Sequence, residues 1–311
     1  MKKAKKIIFI SLLILIISLC LINIFIPMNP IIVGEPVYYE IAYTENDFPS
    51  KLMFTDETGK NGSSINLKLP IQIEIFGTRI PLVKSFASDN ISGIYWDPTG
   101  KALGVLYSTY YVNIRYPALI LLDGESFSCP NDMDLYTNYS YPIHVVDRER
   151  IIINMGNFPN NRLVLYNMKD CKQESIYYDG SEVRVFAVSS QGWLAVNEVK
   201  NDELMLNVYD DNKKLVYSDN TVGYEYYLTW SKDGSKLVYN INVENDIDDV
   251  CMYDFVKEEK TIIGKSSAKV SFSPDGNKLI MEKNSNDLVI LDLITLQEND
   301  FISGSNPDWR P

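Results

Sequence analysis

The chain carries one histidine in 311 residues, and its four cysteines form no Cys-x-x-Cys pair. Any Ser-His-Asp or Cys-His mechanism would therefore have to run through His144, and a zinc site of the usual Cys/His spacing is excluded. His144 sits in the strand-like stretch Pro142-Ile143-His144-Val145-Val146, and its expected role is that of a satisfied strand residue. Gly-x-Ser-x-Gly, P-loop and dinucleotide-binding motifs are missing as well. Basic residues are few, 29 Lys and Arg against 41 Asp and Glu, for a net charge of −12. Lys2, Lys3, Lys5 and Lys6 precede the first apolar run, so the remainder carries −16. A field of that sign repels phosphate backbones, which argues against nucleic acid and for basic or neutral partners. No long amphipathic helical pattern occurs beyond the first 27 residues, and nothing calls for a cofactor.

Those first residues read as a targeting element. Ile7 to Ile26 is a run of 20 uncharged residues, long enough at about 1.5 Å per residue to span roughly 30 Å of hydrocarbon. The lysines ahead of it hold the N-terminus in the cytoplasm and place the rest outside. The expected organisation is a basic stub at 1–6, a transmembrane signal anchor at 7–27, a linker at 28–34 and one globular domain at 35–311. A cleaved signal peptide is the rival, although its apolar core is usually shorter and Ile24 to Val33 lacks an Ala-x-Ala pattern. A lipoprotein signal at Ile17-Ser18-Leu19-Cys20 is a weaker rival, because Leu19 is bulky for that position.

A phrase then recurs along the chain: an apolar or aromatic residue, a short Pro/Asp/Gly turn, and an apolar strand. It reads Tyr95-Trp96-Asp97-Pro98-Thr99-Gly100, Thr229-Trp230-Ser231-Lys232-Asp233-Gly234 and Ser271-Phe272-Ser273-Pro274-Asp275-Gly276. Weaker copies surround Val146 and Val188, and a truncated one ends the chain at Trp309. Marking Trp96, Val146, Val188, Trp230, Phe272 and Trp309 gives steps of 50, 42, 42, 42 and 37. A further apolar strand follows each turn, as in Leu163 to Tyr166, Leu204 to Tyr209, Val250 to Asp254 and Leu288 to Leu293. Short strands repeating near 40–45 residues describe four-stranded propeller blades.

Ser273-Pro274-Asp275-Gly276 with Asp287-Leu288-Val289-Ile290-Leu291-Asp292, and Lys232-Asp233-Gly234 with Asp249-Val250-Cys251-Met252-Tyr253-Asp254, resemble the WD40-like repeat of TolB-type β-propellers. The resemblance covers about residues 85–311, implies an all-β propeller, and is specific for fold rather than function; five full units from Trp96, Val146, Val188, Trp230 and Phe272, with the C-terminal stub, predict a six-bladed β-propeller over 35–311. Segments near Val37 to Tyr43, Lys51 to Thr55, Ile65 to Leu69 and Ile71 to Phe76 are the expected partners that close the ring with the C-terminal stub. Seven blades is the alternative if residues 35–90 hold more than the missing strands.

The candidate site is a tyrosine-lined face made by the loops that enter each innermost strand and those that join the second and third strands. It comprises Tyr107, Tyr110, Tyr111 and Tyr116 in one long loop, with Tyr136, Tyr139, Tyr141, Phe158, Tyr224 and Tyr226 from others. Aromatics with a polar tip favour interfaces; the alternative is packing between blades. Cys129 and Cys171 follow apolar strands of neighbouring repeats and form either a disulfide or two buried thiols. The acidic loop Glu244 to Asp249 lacks the glycine and distal glutamate of an EF-hand and reads as a solvated turn rather than a calcium site. The expected function is a non-enzymatic, membrane-anchored, extracytoplasmic propeller that binds a protein or peptide. A glycan-acting lyase or hydrolase using face carboxylates is the alternative.

Overall fold

The repeated phrase is a turn that hydrogen-bonds to itself. In the computed structural model, Ser273 Oγ accepts the Lys278 N–H at 2.9 Å and donates to Asp275 Oδ1 at 2.6 Å. Ser231 and Asp233 repeat this arrangement, and Asp97 alone accepts the N–H groups of Thr99, Lys101 and Ala102. Gly234 and Gly276 leave the turn at φ of +70° and +71°, a conformation that L side chains rarely adopt. A second capping series ends the third strands. Asp56, Asp123, Asn167, Asp210, Asp254 and Asp292 each accept the N–H two residues on, the Asx arrangement that reverses a strand. Bonds from the Thr58 hydroxyl and the Asn61 amide, with those from the backbone, hold Asp56 down at about 2, and the Thr295 and Ile294 N–H groups lower the pKa of Asp292.

The structure describes residues 31–33, 40–45, 51–75, 78–87, 90–109, 112–123, 125–129, 142–155, 162–179, 182–200, 203–220, 227–241, 248–266, 269–283 and 287–311. They form six antiparallel sheets, each running outward from an innermost strand. Blade 1 is Asn90–Trp96, Ala102–Thr109, Val112–Leu121 and Ser126–Ser128. Blade 2 is Ile143–Val145, Arg150–Met155, Arg162–Asn167 and Lys172–Tyr178. Blade 3 is Val183–Val188, Leu194–Lys200, Glu203–Tyr209 and Leu215–Asp219. Blade 4 is Leu228–Trp230, Lys236–Ile241, Asp248–Asp254 and Glu259–Ser266, and blade 5 is Val270–Phe272, Lys278–Lys283, Asp287–Asp292 and Glu298–Ser303. Blade 6 closes the ring by joining the C-terminal Ser305–Trp309, innermost, to Ile41–Glu45, Lys51–Thr55 and Gly62–Ile75. Six blades therefore hold, and the seven-blade alternative falls.

Three sequence expectations are corrected. Val146 donates to the Arg150 carbonyl as Ser189 does to that of Trp193, so Val145, not Val146, is the counterpart of Val188 and Trp230. With the marker moved to Val145, the first two steps become 49 and 43. Ile65 to Phe76 does not make two blade strands: Gly62–Ile75 is one long strand that pairs first with Lys51–Thr55 and then with Thr78–Ala87. Ile31–Val33, expected in a linker, is a short strand paired with residues 66–68. The apolar run at 7–26 lies outside the described residues, among which no helix is long and apolar enough to cross a membrane.

The core lies between blades. Gly104 is crowded there, since a Cβ would come within 2.6 Å of Ile143 Cδ1 and Val145 Cγ2 across the blade 1–blade 2 junction. The same junction carries a Cys129–Cys171 disulfide with Cα atoms 5.5 Å apart, while Cys251 is a buried free thiol in blade 4. Bridging residues 42 apart restricts the unfolded chain by about 4 kcal/mol in the chain-entropy treatment. Guanidinium denaturation of the Cys129→Ser/Cys171→Ser variant is expected to show a loss of that order with the fold retained. A loss below about 1 kcal/mol would deny the bridge a stabilising role.

Candidate functional site

Taking the last residue of each innermost strand as a common reference, the residues one position earlier are Tyr95, His144, Ala187, Thr229, Ser271 and Asp308. All six line a central cavity of about 870 Å³. Trp96, Trp230, Phe272 and Trp309 stand at the reference position itself and share that wall. Pro98, Ser190, Lys232 and Pro274 from the first turns of four blades, and Pro311 just after the innermost strand of blade 6, ring one mouth. Arg184, Tyr227, Lys269 and Asn306 line the part towards the opposite face.

Asp308, Lys269 and Arg184 in this wall are engaged. Asp308 accepts the Trp96 N–H at 2.8 Å and the Ser271 hydroxyl at 2.7 Å, and Ser271 Oγ in turn accepts the Trp309 N–H at 3.1 Å. Lys269 reaches from blade 5 past blade 6 to blade 1, where it donates to the Ile94 carbonyl. Its Nζ lies 3.6 Å from Asp308 and 4.2 Å from the Tyr95 ring centroid. Burial lowers its pKa, and the neighbouring Asp308 offsets part of that shift. Arg184 pairs with Glu182 at 3.0 Å.

His144 is only half-buried by exposed surface but is surrounded by protein atoms, and desolvation pushes its pKa down to about 4. It is thus a neutral wall residue at pH 7. A histidine whose folded pKa lies below its unfolded value of about 6.5 stabilises fully above that value. The stability is lost as pH falls from about 6.5 towards 4, on the order of 2 kcal/mol once channel solvent is counted. As the only imidazole in the chain, its NMR signal is expected to titrate near 4. A midpoint near 6.5 would contradict the enclosed position.

Aromatic rings continue from the channel wall outward between blades 3 and 4. The Trp230 and Phe255 rings stack at 5.3 Å, Phe255 meets Trp193 at 5.4 Å and Tyr253 at 4.8 Å, and Tyr253 meets Tyr217 at 3.9 Å. Beside Phe255 in the same turn, Val256 is 80% exposed. This stripe lies on the face of the first and third turns, opposite the face expected from the tyrosines.

The sequence-predicted site residues fare unevenly. Tyr107 and Tyr116 are not in a loop: they are paired residues on the second and third strands of blade 1. Tyr107 is 4% exposed and belongs to the core, which corrects its assignment to an open face. The Tyr116 side chain, Tyr110, Tyr111, Tyr136, Tyr139, Tyr141, Phe158, Tyr224 and Tyr226 lie outside the described residues. Of the ten, the described residues place Tyr107 and Tyr116 side by side, as direct partners across two strands of blade 1. What sequence reasoning missed is the ring that includes His144, Ser271 and Asp308, detectable only as the position before each repeat's marker residue, aromatic in four blades and valine in two.

Two buried carboxylates stand away from the channel and tie blades together. Glu198 accepts the hydroxyls of Tyr178 and Tyr209, each at 3.0 Å, and the Asn207 amide at 2.9 Å. Asp219 accepts Tyr239 at 2.7 Å and Lys260 at 2.6 Å. Burial, first of all, raises the pKa values of Tyr178 and Tyr239, which stay protonated and donate. Among the described residues no group of three or more His, Cys, Asp or Glu is placed to hold a metal ion.

The geometry has counterparts among solved structures. TolB from Acinetobacter baumannii superposes with a TM-score of 0.62 at 13% identity, covering 90% of this chain and 68% of that one. The fold is that of a TolB-like six-bladed propeller. A chain of a nidogen/laminin complex follows with a TM-score of 0.57 at 12% identity, covering 88% of this chain and 98% of its own. No family model matches the sequence, and no curated protein does either. At these identities the likeness of the TolB-like propeller to its neighbours is one of fold.

Proposed function

We propose that this propeller is a non-enzymatic, membrane-anchored, extracytoplasmic module that receives a protein or peptide segment at the turn-face mouth of its channel. The observation that carries the reading is the aromatic stripe running from Trp230 through Phe255 to Tyr217, continuous with a cavity of about 870 Å³. Aromatic rings that are half-buried beside an exposed apolar residue are what interface anchors look like before a partner arrives. The nidogen neighbour comes from a complex with laminin, so a propeller of this shape serves assembly in at least that protein. Among the described lining residues Asp308 is the sole carboxylate, and its oxygens already hold three blades. That arrangement favours binding over the two-carboxylate chemistry of a glycan-acting enzyme. The Cys129–Cys171 bridge fits an oxidising compartment, consistent with a domain outside the cytoplasm.

Two experiments test the reading. A photo-crosslinking residue at Lys232, beside the mouth, is expected to give a reproducible protein adduct in cells, and one at Ile176 on the outer strand of blade 2 is not. No adduct at Lys232, together with new reducing ends from a polysaccharide incubated with the protein, would turn the reading towards the enzyme. For localisation, an Ile294→Cys variant is expected to react with an impermeant maleimide from outside intact cells. Labelling only after lysis would contradict the placement.

A further inference from the structure

The long strand Gly62–Ile75 leaves blade 6 after its first four residues and continues as a two-stranded ribbon with Thr78–Ala87. Its register pairs Leu69 with Phe86, Ile71 with Val83 and Ile73 with Ile80. Residues paired directly across a ribbon share a face, and alternate residues along a strand share it too. All six apolar positions therefore fall on one face. In the second strand they are three apart, which simple alternation would scatter over both faces. The two register shifts, between Leu69 and Pro70 and between Ile71 and Gln72, bring Val83 and Phe86 back into phase. The opposite face takes the pairs Glu74 with Arg79 and Pro70 with Lys84.

Among the described elements, none but the partner strand makes more than a glancing contact with Thr78–Ala87. A lone two-stranded ribbon is marginal in water, so an apolar face of this length calls for a surface to cover it. Position and charge say which. Ile31–Val33 pairs with residues 66–68 at the root of the ribbon, and the four residues between Ile26 and Ile31 let the two stand at most about 18 Å apart. Residues 66–87 carry three basic side chains and one acidic one in a chain of net charge −12, the sign that anionic lipid headgroups attract.

We propose that this ribbon is a second membrane contact, lying in the interface with its Leu69/Ile71/Ile73 face towards the acyl chains. The proposal rests on the anchor reading of residues 7–26 for its geometry. The ribbon adds what a single helix cannot supply: a fixed orientation of the wheel relative to the bilayer, with blade 6 nearest to the lipid.

The test uses the full chain in vesicles of phosphatidylcholine and phosphatidylglycerol containing a phospholipid with a photoactivatable acyl chain, with adducts mapped by mass spectrometry. Adducts in both 7–26 and 69–86 are the expected result, with those in 69–86 falling several-fold when phosphatidylglycerol is left out. The Ile73→Asp/Val83→Asp variant is expected to lose adducts in 69–86 by about tenfold while keeping those in 7–26. Adducts in 7–26 alone would overturn the ribbon proposal and leave the anchor standing. Adducts in 69–86 alone would uphold the ribbon and remove the anchor. Vesicles free of adducts in both segments would overturn both. Cross-links joining the ribbons of two copies in place of lipid would make this face a self-interface and end the proposal. Should the double variant fail to fold, Ile73→Trp with brominated acyl chains replaces it; strong quenching supports the contact and unquenched emission denies it.

Discussion

The wheel depends on how its two ends are tied, and the tie converges on one carboxylate. Ser305–Trp309 supplies the innermost strand of a blade whose other strands come from residues 41–75. Ile41 pairs with Trp309, and Thr44 and Ser305 share a hydroxyl contact of 2.8 Å. Asp308 then fastens this blade to both neighbours, accepting a backbone N–H from blade 1 and a hydroxyl from blade 5 while Lys269 spans all three. An ion buried in this way is costly unless every oxygen and proton is used. Here each Asp308 oxygen accepts a hydrogen bond and Lys269 donates to the Ile94 carbonyl, which ties the last strand to both neighbours.

Consequences for the candidate site follow from that closure. The channel wall is a ring of one residue per blade, so it exists only while the sixth sheet is in place. Trp309 completes the aromatic wall from the C-terminal strand, and the Arg310 guanidinium lies 5.6 Å from the Trp96 ring centroid across the joint. The interblade networks of Glu198 and Asp219 and the disulfide between blades 1 and 2 stiffen the sectors between closures. A rigid wheel presents the Trp230–Phe255–Tyr217 stripe as a preorganised surface, which lowers the ordering cost of binding an extended segment.

Much of the wheel was legible because its punctuation is local. Ser273-Pro274-Asp275-Gly276 and the terminal aspartate of Asp287 to Asp292 encode hydrogen bonds within a few residues, so they survive as motif. Val146 was misplaced by one because the blade 2 turn lacks both proline and glycine, and only its hydrogen bond sets the phase. Among the closing segments, Lys51 to Thr55 was legible with its limits, while the others were identified as closing material without theirs, since nothing repeats there. The ribbon hid because Leu69, Ile71 and Ile73 alternate as a blade strand would, and only pairing with Thr78–Ala87 shows the departure. Cys129 and Cys171 could be aligned but not joined from sequence, because a bridge depends on how two blades abut. Tyr107 was misread because tyrosine serves cores and surfaces alike, and the sequence does not say which side of a strand faces a neighbour.

The most direct measurement is native-state amide hydrogen exchange in the Asp308→Ala variant. Loss of the carboxylate leaves the Trp96 N–H, Ser271 and Lys269 short of a partner in a buried joint. Exchange in Ile41–Glu45 and Ser305–Trp309 is predicted to accelerate by tenfold or more, the equivalent of at least about 1.4 kcal/mol, with Leu194–Lys200 across the wheel changing less. Unchanged protection in those two strands would show that the ring closes without this carboxylate and would contradict the account.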